Sequence, residues 1–81
     1  MAPNAQNGRI GPRHRVVLKL LAEAPDGRAD PMFLARFTIE LLDLVHDGLA
    51  TARRETMRVG KRKIKVARIR ITGAGRRALE G

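Results

Sequence analysis

The stretch from Thr51 to Ile71, TARRETMRVGKRKIKVARIRI, constrains this chain most, because strand-forming residues are interleaved there with cations around a central Gly60-Lys61. Met57 and Val59 precede the glycine, and Ile64, Val66, Ile69 and Ile71 follow it. The pattern predicts two antiparallel strands joined by a two-residue turn. That turn pairs Met57 with Ile64, Ala52 with Ile69 and Ala50 with Ile71. Small residues then oppose large ones at the base of the hairpin, as a packed end requires. The apolar parity shifts between Val66 and Ile69, so unless a bulge intervenes the two ends present apolar residues on opposite faces. The base reads as core and the outer half as a projection into solvent.

The same stretch holds nine of the chain's 17 Lys and Arg residues: Arg53, Arg54, Arg58, Lys61, Arg62, Lys63, Lys65, Arg68 and Arg70. Glu55 is its one acid, so it carries +8 of a net +9. An edge ribbon needs only about two or three charges to resist aggregation. Nine cations with one acid predict phosphate binding. Residues 20–50, by contrast, contain two cations and six acids.

A chain of 81 residues is one small domain, and with no Cys its core must hold without disulfides. Ser, Tyr and Trp are also missing, and the only histidines are His14 and His46. Neither catalysis nor a cofactor is expected of such a set. His46 with Asp43 and Asp47 could be imagined around a metal, but exposed helix-end residues of this kind are ordinary surface, and no metal is expected. No apolar run approaches the roughly 20 residues of a spanning helix, and the N-terminus lacks a secretory apolar segment. A cytoplasmic protein is the expectation.

Net positive charge suits nucleic acid or an anionic membrane. Cations on a ribbon instead of on one face of an amphipathic helix argue against the membrane. Phe33 and Phe37 are the only aromatics and occupy core positions, so stacking on single strands is not expected. Contact with a duplex backbone is.

Before the hairpin, residues 1–9 have little to bury and read as a disordered arm, leaving residues 10–81 as the domain. Pro12 begins a first helix whose apolar face is Val17, Leu20, Leu21 and Ala24, widened by Val16 and Leu18. Arg13 and Arg15 stand at its N-terminus, where the helix dipole disfavours cations, so an anionic partner is expected there. Pro25-Asp26-Gly27 ends this helix. Asp30-Pro31 starts a short second one. Thr38 is read as the N-cap of a third helix, with Phe37 and Leu42 at staple spacing and Glu40 in the first turn. On that helix Leu41, Leu42, Val45 and Leu49 are assigned to the core, with Ile39, Glu40, Asp43, His46 and Asp47 outward. Gly48 supplies a left-handed cap, with Leu49 folding back on Leu44. Thr72 caps a last short helix, GAGRRALE. Its Gly73-Ala74-Gly75-Arg76-Arg77-Ala78 matches the dinucleotide pattern G-x-G-x-x-A, but too little chain follows for a βαβ unit, so the glycines are read as permitting a tight strand-to-helix turn.

Helix, short helix, helix ending in Gly48-Leu49, basic hairpin, then Thr72-x-x-Gly75 resembles a winged helix-turn-helix domain of the small MarR-like and PadR-like bacterial regulators over residues 13–80. The resemblance implies an α+β fold of three helices, a two-stranded wing and a short C-terminal helix. It also implies transcription regulation through double-stranded DNA, with the third helix in the major groove and the wing on the backbone. The third helix has no Lys or Arg, however, so the wing is expected to be the main grip, with Arg13 and Arg15 as secondary phosphate contacts. Double-stranded RNA is a second nucleic-acid candidate. The alternative reading is a protein-interaction module, a homodimer or a docked partner, using the acidic third helix and the outer wing residues Met57, Val59, Ile64 and Val66.

Overall fold

The computed structural model of the chain describes residues 10–80; the expected N-terminal arm, residues 1–9, lies outside them. Among the described residues, four helices and one antiparallel hairpin make an α+β domain: α1 (Pro12–Ala22), α2 (Pro31–Arg36), α3 (Thr38–His46), β1 (Ala50–Val59), β2 (Arg62–Ile71) and α4 (Gly73–Glu80). Val17, Leu18 and Leu21 of α1, Phe33 of α2 and Leu41 and Leu44 of α3 form the centre of the core. Ala50 and Ile69 close it from the base of the hairpin.

Local chemistry places most boundaries. Pro12 is the first residue of α1, and α1 ends at Ala22, short of Pro25. Gly27 takes φ +86 in the turn that follows. A Cβ there would stand 2.6 Å from the Ile69 carbonyl oxygen, so glycine also lets this loop press onto β2. The next residue, Arg28, exchanges two backbone hydrogen bonds of 2.8 Å with Ile69. This single bridge adds a third rung beside the hairpin that the sequence reading did not include. At α2, the Asp30 carboxylate accepts the Phe33 N–H at 3.2 Å, as its N-cap position predicts.

Thr38 departs from its expected role. It is the first residue of α3, and its hydroxyl donates backwards to the Leu34 carbonyl (2.8 Å) and the Ala35 carbonyl (3.1 Å). Phe37 alone separates α2 from α3, so the nearest unsatisfied groups are the last carbonyls of α2. The staple is absent too: Phe37 packs on Phe33, with centroids 5.3 Å apart, while Leu42 is exposed.

The end of α3 matches expectation. Gly48 has φ +78, the Leu49 N–H donates to the Leu44 carbonyl at 2.8 Å, and the Gly48 N–H donates to the Val45 carbonyl at 3.1 Å. Those two bonds define a Schellman cap. Thr72 then ties this turn to α4, because its hydroxyl donates to the Gly48 carbonyl (2.8 Å) and accepts the Gly75 N–H (3.0 Å). Gly75 serves packing more than turning. A Cβ there would run into the Leu49 carbonyl and lie 2.7 Å from Ile71 Cγ1, whereas one at Gly73 would meet only Arg77 at 3.5 Å.

Candidate nucleic-acid interface

The hairpin register runs unbroken from Ala50↔Ile71 to Val59↔Arg62, with the expected Met57↔Ile64 and Ala52↔Ile69 pairs. Gly60 has φ +63 and no other residue of the turn has positive φ, which fits a type II′ turn. No bulge corrects the parity shift, so each face of the ribbon changes character halfway along. One face starts at the core with Ala50, Ala52, Ala67, Ile69 and Ile71, and continues outward as Arg54, Thr56, Arg58, Lys63 and Lys65. The other starts with Arg53, Arg68, Arg70 and Glu55, and continues as Met57, Val59, Ile64 and Val66, ending at Arg62.

The two sets of cations differ in their partners. On the second face, Arg68 Nε donates to Glu55 Oε1 at 2.8 Å and its guanidinium reaches the Asp26 carbonyl at 3.3 Å. That hydrogen bond from Arg68 holds the Glu55 carboxyl below its ordinary range, with Arg70 and Arg53 adding to the effect. Arg68 is thereby engaged in holding the base together. On the first face, Arg54, Arg58, Lys63 and Lys65 are all exposed, and none forms an ion pair with another described residue. Arg58 stands directly opposite Lys63. Like charges in facing positions repel, and no acid on this face relieves them.

Arg13 and Arg15 turn out to be held within the chain. Arg13 Nε donates to Glu40 Oε2 of α3 at 2.8 Å. Arg15 donates at 3.1 Å to the Ala78 and Leu79 carbonyls, satisfying the open end of α4. The anionic partner expected at the α1 N-terminus is therefore Glu40. The Arg13 hydrogen bond holds the Glu40 carboxyl below its ordinary value, helped by a backbone hydrogen bond. His14 lies beside this pair. Its Nδ1 accepts the Gly11 N–H at 3.1 Å, which leaves Nε2 to carry the proton and donate to Asp43 Oδ2 at 2.9 Å.

These contacts correct the orientation of α3. The Glu40 side chain is 12% exposed and that of Asp47 only 4%, and Asp43, 29% exposed, is turned onto His14. Leu44, not Leu42, is the fully buried leucine of α3 and Leu42 is 64% exposed, while Ile39, at 70%, faces outward as expected. The outward face of α3 thus presents Ile39, Leu42 and the exposed His46 instead of a row of carboxylates. Beside it runs a groove of about 430 Å³ whose walls include Leu34, Ala35, Leu41 and Val45 on the helices and Ala52 and Ala67 on the hairpin.

Arg28, absent from the expected site, lies over the Phe33 ring at 4.2 Å and pairs with Asp30 at 3.2 Å, so it also serves the fold. Among the described residues no group of three or more potential metal ligands comes together, and no helix is long and apolar enough to cross a membrane. Compared with protein-family models, curated proteins and solved structures, the chain matches none.

Proposed function

We propose that this chain is a winged helix domain that binds double-stranded DNA, in the manner of a small transcription regulator, through the outer half of the hairpin face that is continuous with the core. The observation that carries this reading is the set Arg54, Arg58, Lys63 and Lys65: four exposed cations on one face, with Arg58 opposite Lys63 and no acid among them. A row of phosphates would offset the repulsion this arrangement builds in. Lys61 in the turn and Arg62 beside it extend the positive surface to the tip. The order of helix, single bridged residue, two helices joined through Phe37, hairpin and closing helix supports the winged helix assignment.

Backbone contact of this kind selects weakly for sequence, because phosphates position a protein while base edges specify it. Arg13 and Arg15, expected as secondary phosphate contacts, are given no part in this reading, since Glu40 and the end of α4 hold them. NMR titration with a duplex of mixed sequence tests the assignment. The expected result is that amide shifts concentrate between Arg54 and Lys65; shifts confined to α3, or none at low salt, would refute it. A parallel titration with an RNA duplex separates the two nucleic-acid readings by which ligand moves the same amides at the lower concentration.

A further inference from the structure

We infer that the outer edge of β2 takes an added strand from another protein, an extended segment in which acidic and apolar residues alternate. The edge is open because the loop that begins to cover it turns away. Arg28 and Ile69 exchange two backbone hydrogen bonds of 2.8 Å, so the N–H and C=O of Ile69 point away from β1. In a regular ladder the same groups of Lys65 and Lys63, at even spacing further out on β2, point the same way. The chain after Arg28 does not reach them. The Asp30 carbonyl accepts the Leu34 N–H at 3.1 Å and its carboxylate the Phe33 N–H at 3.2 Å, which commits this residue to α2. No other described element bonds to the backbone of Lys63 or Lys65. Open main-chain donors and acceptors in line with an existing rung are what strand addition uses.

The two faces of this edge select the occupant. A residue placed opposite Lys65 or Lys63 carries its side chain on the face of those lysines, which also holds Arg54 and Arg58 and has no acid. Acidic residues at those two positions make cross-strand pairs of opposite charge. A residue opposite Ile64 or Val66 carries its side chain on the reverse face instead. There a cleft of about 540 Å³ lies between Met57, Ile64 and Val66 on the hairpin and Ala24, Ala29 and Pro31 on the loop. Its two arginines are already answered, Arg28 by Asp30 and Arg68 by Glu55, so what the cleft offers an incoming side chain is apolar surface. The edge of β1 has no bridge of this kind among the described residues. A second copy is the wrong occupant, because two β2 edges laid together set lysines against lysines, the repulsion by which charged edges avoid self-association. The inference stands apart from the nucleic-acid reading, but Lys63 and Lys65 serve both, so segment and duplex are expected to exclude each other.

A capped octapeptide of alternating valine and glutamate, added to the full chain and followed by amide hydrogen exchange, tests this. Exchange at Lys63 and Lys65 should slow by about tenfold or more in the complex, while Ile64 and Val66, whose amides already face β1, should change less. A peptide of the same composition with its valines and glutamates in separate blocks should bind about tenfold more weakly. So should the alternating peptide N-methylated at its glutamates, which keeps every side chain and loses the donors that would reach the edge. Lys63→Glu combined with Lys65→Glu, both at exposed positions, should transfer the preference to alternating valine and lysine. Equal binding of the block or the N-methylated peptide would overturn the inference, as would unchanged exchange at Lys63 and Lys65. A chain that binds a duplex but not the alternating peptide loses this inference and keeps the proposed function. One that binds the peptide and no duplex does the reverse.

Discussion

Replacing Arg54, Arg58, Lys63 and Lys65 together with Ala removes one face of the hairpin's charge without touching the core, since all four side chains are exposed. Each neutralised phosphate contributes about −0.9 to the slope of log K against log[salt]. Four contacts from this face give about −3.6, and six, with Lys61 and Arg62 included, give about −5.4. Between about 50 and 200 mM salt the affinity of the unaltered chain should then fall roughly 150- to 1,800-fold. The fourfold variant keeps only the tip cations, so its slope should flatten to about −1.8 and its loss over the same range to about 12-fold.

Fluorescence anisotropy with a labelled duplex measures these slopes directly. The control is Arg53→Ala with Arg70→Ala, which removes cations from the other face while leaving Arg68 on Glu55. That double variant should change the slope by less than about half a unit, because neither side chain belongs to the proposed contact row. An unaltered chain with a slope shallower than about −2, or a double variant that flattens it as much per charge as the fourfold one, would refute a face-specific wing contact.

Lys63→Glu should stabilise the fold while weakening nucleic-acid binding, since it turns the Arg58↔Lys63 repulsion into an attraction of about 0.2–1 kcal/mol. For a domain of this size that raises Tm by about 1–8 °C in a calorimetric scan. Gly75→Ala should lower Tm, because a Cβ pressed on the Leu49 backbone costs about 1–3 kcal/mol and outweighs a helix-propensity gain of about 1 kcal/mol. Gly73→Ala, where a Cβ has room, should leave Tm unchanged or raise it. Glu40→Gln tests the α1–α3 pair by pH. Because Arg13 lowers the folded-state pKa of Glu40 from 4.5, its contribution is full above that value and fades as pH falls through the folded pKa. Urea unfolding should accordingly find the variant less stable than the parent near neutrality and the difference shrinking below pH 4.5.

Features fixed by neighbouring residues were legible in the sequence. A two-residue turn at Gly60-Lys61 allows one register, and the observed Ala50↔Ile71 and Met57↔Ile64 pairs are that register. Asp30, Gly48 and Thr72 act through hydrogen bonds spanning three to five residues, so their caps could be read locally. Orientation of α3 could not. A nine-residue helix with leucines at 41, 42 and 44 offers two neighbouring apolar stripes, and its own periodicity does not choose between them. The choice is made by α1, whose Arg13 and His14 draw in Glu40 and Asp43 from 27 and 29 residues away. One signal was available: two cations crowding the positive end of α1, in a chain whose next segment is acidic, call for internal partners as much as external ones. Arg28 gave no periodic signal, because a single bridged residue has no period.

Internal pairing also changes what the net charge means. Once Arg13 is on Glu40 and Arg15 caps α4, the basic first segment and the acidic middle offset each other inside the fold, and the uncompensated charge is that of the hairpin. Alternation then divides it. With no bulge, the parity shift sends Arg54, Arg58, Lys63 and Lys65 outward on the face whose inner end is buried, and places Met57, Val59 and Ile64 on the reverse. A bulge between Val66 and Ile69 would have turned Ile64 and Val66 to the face of Ile69 and Ile71 and sent Lys63 and Lys65 to the other. Keeping the regular ladder leaves three apolar side chains exposed, and what it gains is a ribbon face roughly 15–20 Å long that is entirely cationic apart from Thr56. Its rigid base is anchored in the core through Ala50 and Ile69, which fixes where that face points relative to the apolar side of α3. The segment that looks least consistent as a core strand is thus the one in which a surface for phosphates can be built without a charged residue entering the core.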